Sequence, residues 1–201
     1  EGIFRNGILD ILKEKAKHGV EIRVVYDDVG CMLTLPGDYY KTLQSYGMKA
    51  VRFSPLKGQA DNEFNNRSHR KIMVIDGKIG YTGGVNIADE YANLVERFGV
   101  WKDCGIRLEG DGVWGLSITF MQMWSMCCPQ EHISYMKYKA EKRKSDNTTN
   151  KSFCHVLSDG PVISKDNIIE VVYKQIIDTA EDYVYIMTPY LVLDEIMTGT
   201  I

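Results

Sequence analysis

Hydrophobic positions change their period several times along the chain, and each change marks an element. Ile8, Ile11, Leu12 and Ala16 recur at helical spacing in residues 7–17, and His18-Gly19 ends that helix with a residue suited to a left-handed turn. Residues 20–26 form a β-branched run that reads as a buried strand. Residues 38–46 read as a short helix stopped by Gly47, and 48–53 as a second strand. Two short runs, 71–76 and 78–82, meet at Asp76-Gly77, a tight-hairpin signal. A helical turn is expected at 87–93 and a strand at 103–108. Helical spacing of Val113, Leu116, Phe120, Met123 and Trp124 predicts a helix over 113–126. A strand at 153–157, a helix at 167–180 and a strand at 183–188 complete the reading. The stretches 57–66 and 137–152 are polar, the second a mobile loop or linker. Strands and helices alternate, which predicts an α/β fold in layers.

Composition narrows the function classes. A chain of 201 residues, 44% hydrophobic and 25% charged, suits one soluble globular domain or one plus part of another. The net charge of −3 argues against a generally basic nucleic-acid-coating protein, though not against a local basic pocket. No run reaches the roughly 18 apolar residues of a membrane span, and no stretch has the layout of a signal peptide. Five cysteines, an odd count without a C-x-x-C pair, read as free thiols of a reducing compartment. Both ends of the chain fall close to structured segments, so an excised fragment is expected. Trp114, Phe120, Met121, Met123 and Trp124 suit either a lipid-facing stripe or a core, and a core is the commoner outcome. Cys127-Cys128 reads as packing.

One stretch carries chemistry: Asn66-Arg67-Ser68-His69-Arg70-Lys71, then Asp76-Gly77, then Thr82-Gly83-Gly84-Val85-Asn86. His69 and Lys71 lie two apart at the head of a strand and share a face. The hairpin returns Gly83, Gly84 and Asn86 beside them. An imidazole can act as nucleophile, an ammonium can hold a phosphate oxygen, a carboxamide can donate to another, and glycines allow close backbone approach.

These residues fill every fixed position of H-x-K-x4-D-x6-G-[GS]-x-N, and the chain thereby resembles the phospholipase D superfamily. Within it, the order of His69–Lys78, Thr82–Tyr91, Trp101-Lys102-Asp103, Leu108-Glu109-Gly110, Ser158-Asp159-Gly160-Pro161 and Thr188-Pro189-Tyr190 resembles bacterial cardiolipin synthases. The resemblance implies an α/β/α sandwich with a mixed β-sheet. It also implies a first phospholipase D-like domain at 1–136 lacking its first strand, a polar linker at 137–152, and the start of a second half at 153–201 without its catalytic motif. That family carries two H-x-K motifs and N-terminal membrane helices. This sequence has one motif, since His18, His132 and His155 have no Lys two residues on.

The implied activity is phosphatidyl transfer through a phosphohistidine: two phosphatidylglycerol molecules give cardiolipin and glycerol. His69 is nucleophile or acid/base. Lys71 and Asn86 bind the non-bridging oxygens, with Gly83, Gly84 and Arg70 beside the substrate. Asp103 matches the superfamily's acidic position that orients a histidine, and otherwise reads as an exposed strand-start residue. Asp76 belongs to the motif but reads as mainly structural in its turn. Arg67 and Arg70 either attract anionic headgroups or are simply solvated. Asp27-Asp28 resembles a metal site but reads as a strand-end turn, and no metal or cofactor is expected. The implied partners are phosphatidylglycerol and other anionic phospholipids, a membrane reached through the missing N-terminal helices, and the second catalytic half, with no nucleic acid. The full-length protein would sit at the bacterial cell membrane with its catalytic domain on the cytoplasmic side, and the isolated fragment would be soluble.

Two other classes remain: a phosphodiesterase or nuclease of the same superfamily working as a homodimer, and a non-catalytic binding module. The intact motif argues against the second. A missing internal strand would leave a slot in the first sheet, which residues 183–188 could fill within the chain or by exchange in a strand-swapped homodimer.

Overall fold

The first helix, α1 (Ile3–Lys17), places Lys15 and Lys17 in its last turn, where cations oppose the helix dipole. Leu9, Leu12 and Ala16 pack on buried Leu43, Met48 and Ala50, joined by Ile22, Val24, Tyr39 and Tyr40. Ile11, expected on the buried face, is 62% exposed. The periodicity is as read, but four apolar positions span a wider arc than the contact covers, and the edge at Ile11 is left to solvent. This computed structural model describes residues 2–55, 67–97, 99–141, 153–160, 167–188 and 191–200. The expected polar stretch at 57–66 and most of that at 137–152 lie outside the described residues. The chain divides into two units, Glu1–His155 and Val156–Ile201.

In the first unit, β1 (Arg23–Asp27) and β2 (Lys49–Phe53) pair in parallel, with Arg23 opposite Lys49 and Asp27 opposite Phe53. Parallel neighbours require a crossover connection. Here it runs through α2 (Asp28–Cys31), a short helix the pattern does not announce, and α3 (Tyr39–Ser45). The hairpin forms as expected from β3 (Ile72–Ile75) and β4 (Ile79–Gly83), and β5 (Gly105–Glu109) adds to β4 antiparallel. Ile72 faces Thr82, and Thr82 faces Ile106. Asp76 and Gly77 have φ of 53° and 64°, the mirror-image turn whose twist suits a two-residue hairpin. The α/β class is thus present, with parallel and antiparallel pairing divided between two sheets. Among the described residues no ladder joins the two.

Helix α4 (Val113–Cys127) packs against β2, β3 and β4, and buries Val113, Leu116, Met121, Met123 and Trp124. Its Met and Trp stripe is therefore core. Ser117 and Thr119, buried with them, donate to the carbonyls of Val113 and Gly115 at 3.0 Å, so no hydroxyl is stranded. Beyond α4, the Arg23 guanidinium grips both Glu131 carboxylate oxygens at 2.7 and 3.1 Å and lies 4.6 Å from the Trp124 ring centroid. Trp124 Nε1 and Lys49 Nζ donate to the same carboxylate at 2.9 and 3.0 Å.

In the second unit, α5 (Ile168–Asp178) follows the expected helix, and α6 (Glu195–Thr198) starts at Asp194, whose side chain accepts from Met197 N. The strands expected at 153–157 and 183–188 do not form. Tyr185 and Met187 are 89% and 100% exposed. A β-prone run becomes a strand only when a neighbour satisfies its backbone groups, and among the described residues neither run has one.

Two outcomes are expected. A Cβ on Gly77 would stand 2.5 Å from the Tyr138 carbonyl oxygen, in a left-handed backbone besides. Gly77→Ala should cost about 1–3 kcal/mol, read as a lower Tm in a thermal melt. Hydrogen bonding from Arg23 leads the depression of Glu131 to about 2, with Lys49 and Trp124 adding to it against partial desolvation. A carboxyl so lowered stabilises the fold above its ordinary value and ceases to do so as pH falls through the folded one. The contribution is full above about pH 4.5 and lost toward pH 2. Glu131→Gln should flatten that part of the acid-unfolding curve followed by circular dichroism.

Candidate active site

The segment 67–71 enters β3 and carries His69 and Lys71. Asp27 is the last residue of β1, and its side chain is 9% exposed. Its carboxylate accepts from Ser68 N at 2.9 Å, from Gly30 N at 2.9 Å and from Arg67 Nη1 at 3.5 Å. Arg67 also donates to the carbonyl and hydroxyl of Ser54, just beyond β2, each at 2.9 Å. Side chains thus tie the approach to His69 to the carboxyl ends of both parallel strands, the end where open α/β sheets build their sites.

His69 is exposed as a residue, yet partial desolvation of its ring, and then the charge of Lys71, hold its pKa below the ordinary value, with Asp27 opposing. Lys71 Nζ donates to the carbonyl of His69 at 2.8 Å. Desolvation lowers the pKa of Lys71 as well, and Asp103 opposes it. Continuing the β3–β4 register one step past Ile72 and Thr82 sets Lys71 opposite Gly83. Gly84 N donates to the Cys104 carbonyl at 3.2 Å, which carries the β4–β5 contact past the last ladder pair. A Cβ on Gly84 would overlap Asp103 Oδ1, so a glycine here is what lets the carboxylate lie on the backbone. Trp101 Nε1 and Cys104 N hold that carboxylate at 3.0 and 2.8 Å.

Lys71, Gly83, Gly84 and Asp103 therefore meet at one end of the hairpin, with His69 two residues upstream of Lys71. Asn86 is half-buried in the turn that follows, where Ala88 N donates to its carbonyl at 3.0 Å. Two expected residues are not brought in. Arg70 alternates to the other side, its Nη1 lying 3.3 Å from Met123 Sδ on α4. Asp76 sits in the turn at the far end of β3, about 17 Å from Lys71 at a strand's rise per residue.

Sequence reasoning missed several supports. Asp27 does close its strand at a turn, as read, but its bonds to Ser68 and Arg67 were not foreseen, and Arg67 was read as attracting headgroups or solvated. Asn93 exchanges two hydrogen bonds with the backbone of Trp101, at 2.7 and 2.9 Å, bringing the chain back to Asp103. Asp89 accepts from Ile3 N and Phe4 N at 2.9 and 2.8 Å, capping α1 from within the same loop. Among the described residues no three His, Cys, Asp or Glu side chains cluster as a metal site. Asp28, with Asp27 the acidic pair of the sequence, bonds Arg52 at 3.2 Å.

The family profile described as cardiolipin synthase, PLD-like domain, matches residues 3–98. Over those residues the chain matches a phospholipase D-like domain. Cardiolipin synthase of Staphylococcus aureus strain Mu50 is 35% identical over 195 residues, which cover 96% of this chain and 38% of that protein. Cardiolipin synthase of Oceanobacillus iheyensis is 34% identical over 190 residues, 94% of this chain and 38% of its own length. An uncharacterized protein of Streptococcus mutans is 42% identical over 204 residues, 98% of this chain and 42% of that protein. The chain thus spans about two fifths of the length of these curated relatives.

A substitution at Gly84 checks the assembled end of the hairpin. Gly84→Ala should push the Asp103 carboxylate off the backbone and break its bond to Trp101 Nε1. The indole N–H resonance of Trp101, assigned by its loss in Trp101→Phe, should then shift upfield in a nitrogen–proton correlation spectrum. An unmoved resonance would mean that Asp103 does not rest on Gly84.

Proposed function

We propose that this chain is one catalytic half of a phosphatidyltransferase that joins two phosphatidylglycerol molecules into cardiolipin and releases glycerol. The observation that carries the reading is the convergence of the motif's Lys71 and Gly83-Gly84 at the hairpin end just downstream of His69. Alignment to cardiolipin synthases over nearly the whole chain supports the lipid substrate above a nucleic acid one.

The electrostatics favour one of the two roles open to His69. A lowered pKa favours the neutral ring, whose bare nitrogen can attack phosphorus. In the first step an imidazole nitrogen of His69 bonds to phosphorus, and the bond from phosphorus to the glycerol oxygen breaks. The leaving oxygen takes its proton from a second acid, assigned to the other half. That group then removes the proton from the hydroxyl of the incoming phosphatidylglycerol, whose oxygen displaces His69. Lys71 and Asn86 hold the non-bridging oxygens where charge grows. Lys71 must give up its bond to the His69 carbonyl, or share it, to do so. The protein acts at the bacterial cell membrane, on anionic phospholipid, with the catalytic face toward the cytoplasm.

The test incubates phosphatidylglycerol vesicles with the full-length gene product and with this chain alone, and measures cardiolipin and glycerol by mass spectrometry. The full-length product should form both, and His69→Ala should abolish formation. This chain alone should be slower by about 10²–10⁴-fold, the usual cost of a missing acid/base. Cardiolipin made by the chain alone at the full rate would remove the two-half reading. Cleavage of oligonucleotides with no lipid product would favour the nuclease.

A further inference from the structure

The segment that carries His69 into β3 lacks a backbone ladder to the β1–β2 sheet among the described residues, yet its position relative to that sheet decides where the imidazole stands. Among the described residues, the Asp27 carboxylate bridges the gap. Asp27 closes β1, starts the short helix α2 by accepting from Gly30 N, and receives Ser68 N, the amide immediately before His69. Its third contact, Arg67, continues to Ser54 after β2.

We propose that Asp27 is the positioning residue of His69: its buried carboxylate fixes the backbone at Ser68 and presents a negative charge to the imidazole. The inference rests on the reading of His69 as the reacting group. Asp27 touches no reacting atom in this account. It acts through the peptide it holds and through its field.

Burial strengthens both actions. A hydrogen bond to an ionised acceptor is about twice as strong as a neutral one, and a 9% exposed carboxylate is little screened by water. The charges around His69 come from identifiable places. Lys71, on its own segment, lowers its pKa, and Asp27, from the end of β1, raises it. Arg67 is turned to Asp27 and Ser54, Arg70 to Met123, and the charge of Asp103 acts on Lys71. Among the described residues, Asp27 is therefore the acidic group that works against the loss of the ring's proton. Through it His69 keeps an affinity for protons that Lys71 and desolvation would otherwise erode.

The experiment follows the His69 ring by nitrogen–proton spectroscopy through a pH titration, and the Ser68 amide by hydrogen exchange, in this chain. Asp27→Asn keeps the shape and one acceptor oxygen but removes the charge, so the His69 midpoint should move to lower pH. Asp27→Ala removes the acceptor too, and Ser68 exchange should accelerate about tenfold or more. Asp28→Asn, at the neighbouring residue paired to Arg52, should leave both readouts unchanged. A His69 midpoint that stays in place in Asp27→Asn, or that moves equally in Asp28→Asn, overturns the proposal. So does unchanged Ser68 exchange in a folded Asp27→Ala. Should Asp27→Ala not fold, the Asp27→Asn titration decides alone. These readouts need no turnover. Failure to make cardiolipin would therefore sink the functional reading and leave this inference standing.

Discussion

The site depends on one constraint: the segment carrying the motif histidine must be registered against a sheet to which no described ladder joins it. Hydrogen-bond ladders fix neighbouring strands residue by residue, and where a ladder is absent the backbone has to be held some other way. The contacts that do this converge on Asp27 and Arg67. The contacts to Ser68 N and Ser54 are short at 2.9 Å, all are charge-assisted and partly withdrawn from water, and they span 41 residues of sequence between Asp27 and Ser68. Helix α4 adds the apolar part by packing on β2, β3 and β4. Packing restrains the distance between the sheets. It does not choose a register, because apolar contact is not directional. The polar tie supplies the direction.

A second consequence is a division of labour between two carboxylates. Asp27 faces His69, and Asp103 faces Lys71. Desolvation pushes both of these bases toward their neutral forms, which suits an imidazole that must attack and works against an ammonium that must hold an anion. The acidic neighbour of Lys71 works against that loss, and Trp101 and Cys104 hold it in place. On the His69 side the opposing charge is held by amides and an arginine that already consume much of its capacity. It opposes the loss of the ring's proton without reversing it, since the pKa of His69 stays below its ordinary value.

What the sequence made legible was local. The Asp76-Gly77 turn, the two short runs around it and the return of Gly83-Gly84 follow from backbone preferences within about fifteen residues, and the hairpin forms in that register. The α4 core face followed from helical period alone. The ties at Asp27, Asn93 and Asp89 were not legible, because a carboxylate or amide at a strand end looks the same whether its partner is solvent or an amide 85 residues away, as between Phe4 and Asp89. Arg70 illustrates the converse: it stands between His69 and Lys71 in sequence, yet alternation along the chain sends it to the helix, while Asp76 lies in the far turn, as its turn signal suggested.

Residues 153–157 and 183–188 were misread for a related reason. Their β-branched and aromatic content favours a pleated, half-buried surface, and that preference is expressed only where a surface exists. Helix α5 needs no such partner for its backbone, since each turn satisfies the one before, and it forms in the same unit where the strand fails. The contrast orders the dependence of the elements on the rest of a protein. Helices form from their own sequence plus a face to bury, hairpins from their own turn, and lone strands only from a neighbour. The motif of this chain sits on a hairpin, the one β arrangement that supplies its own neighbour. The end of the site built by Lys71, Gly83 and Gly84 is therefore assembled by local sequence, whereas the stance of His69, which precedes the ladder, falls to a carboxylate from another strand.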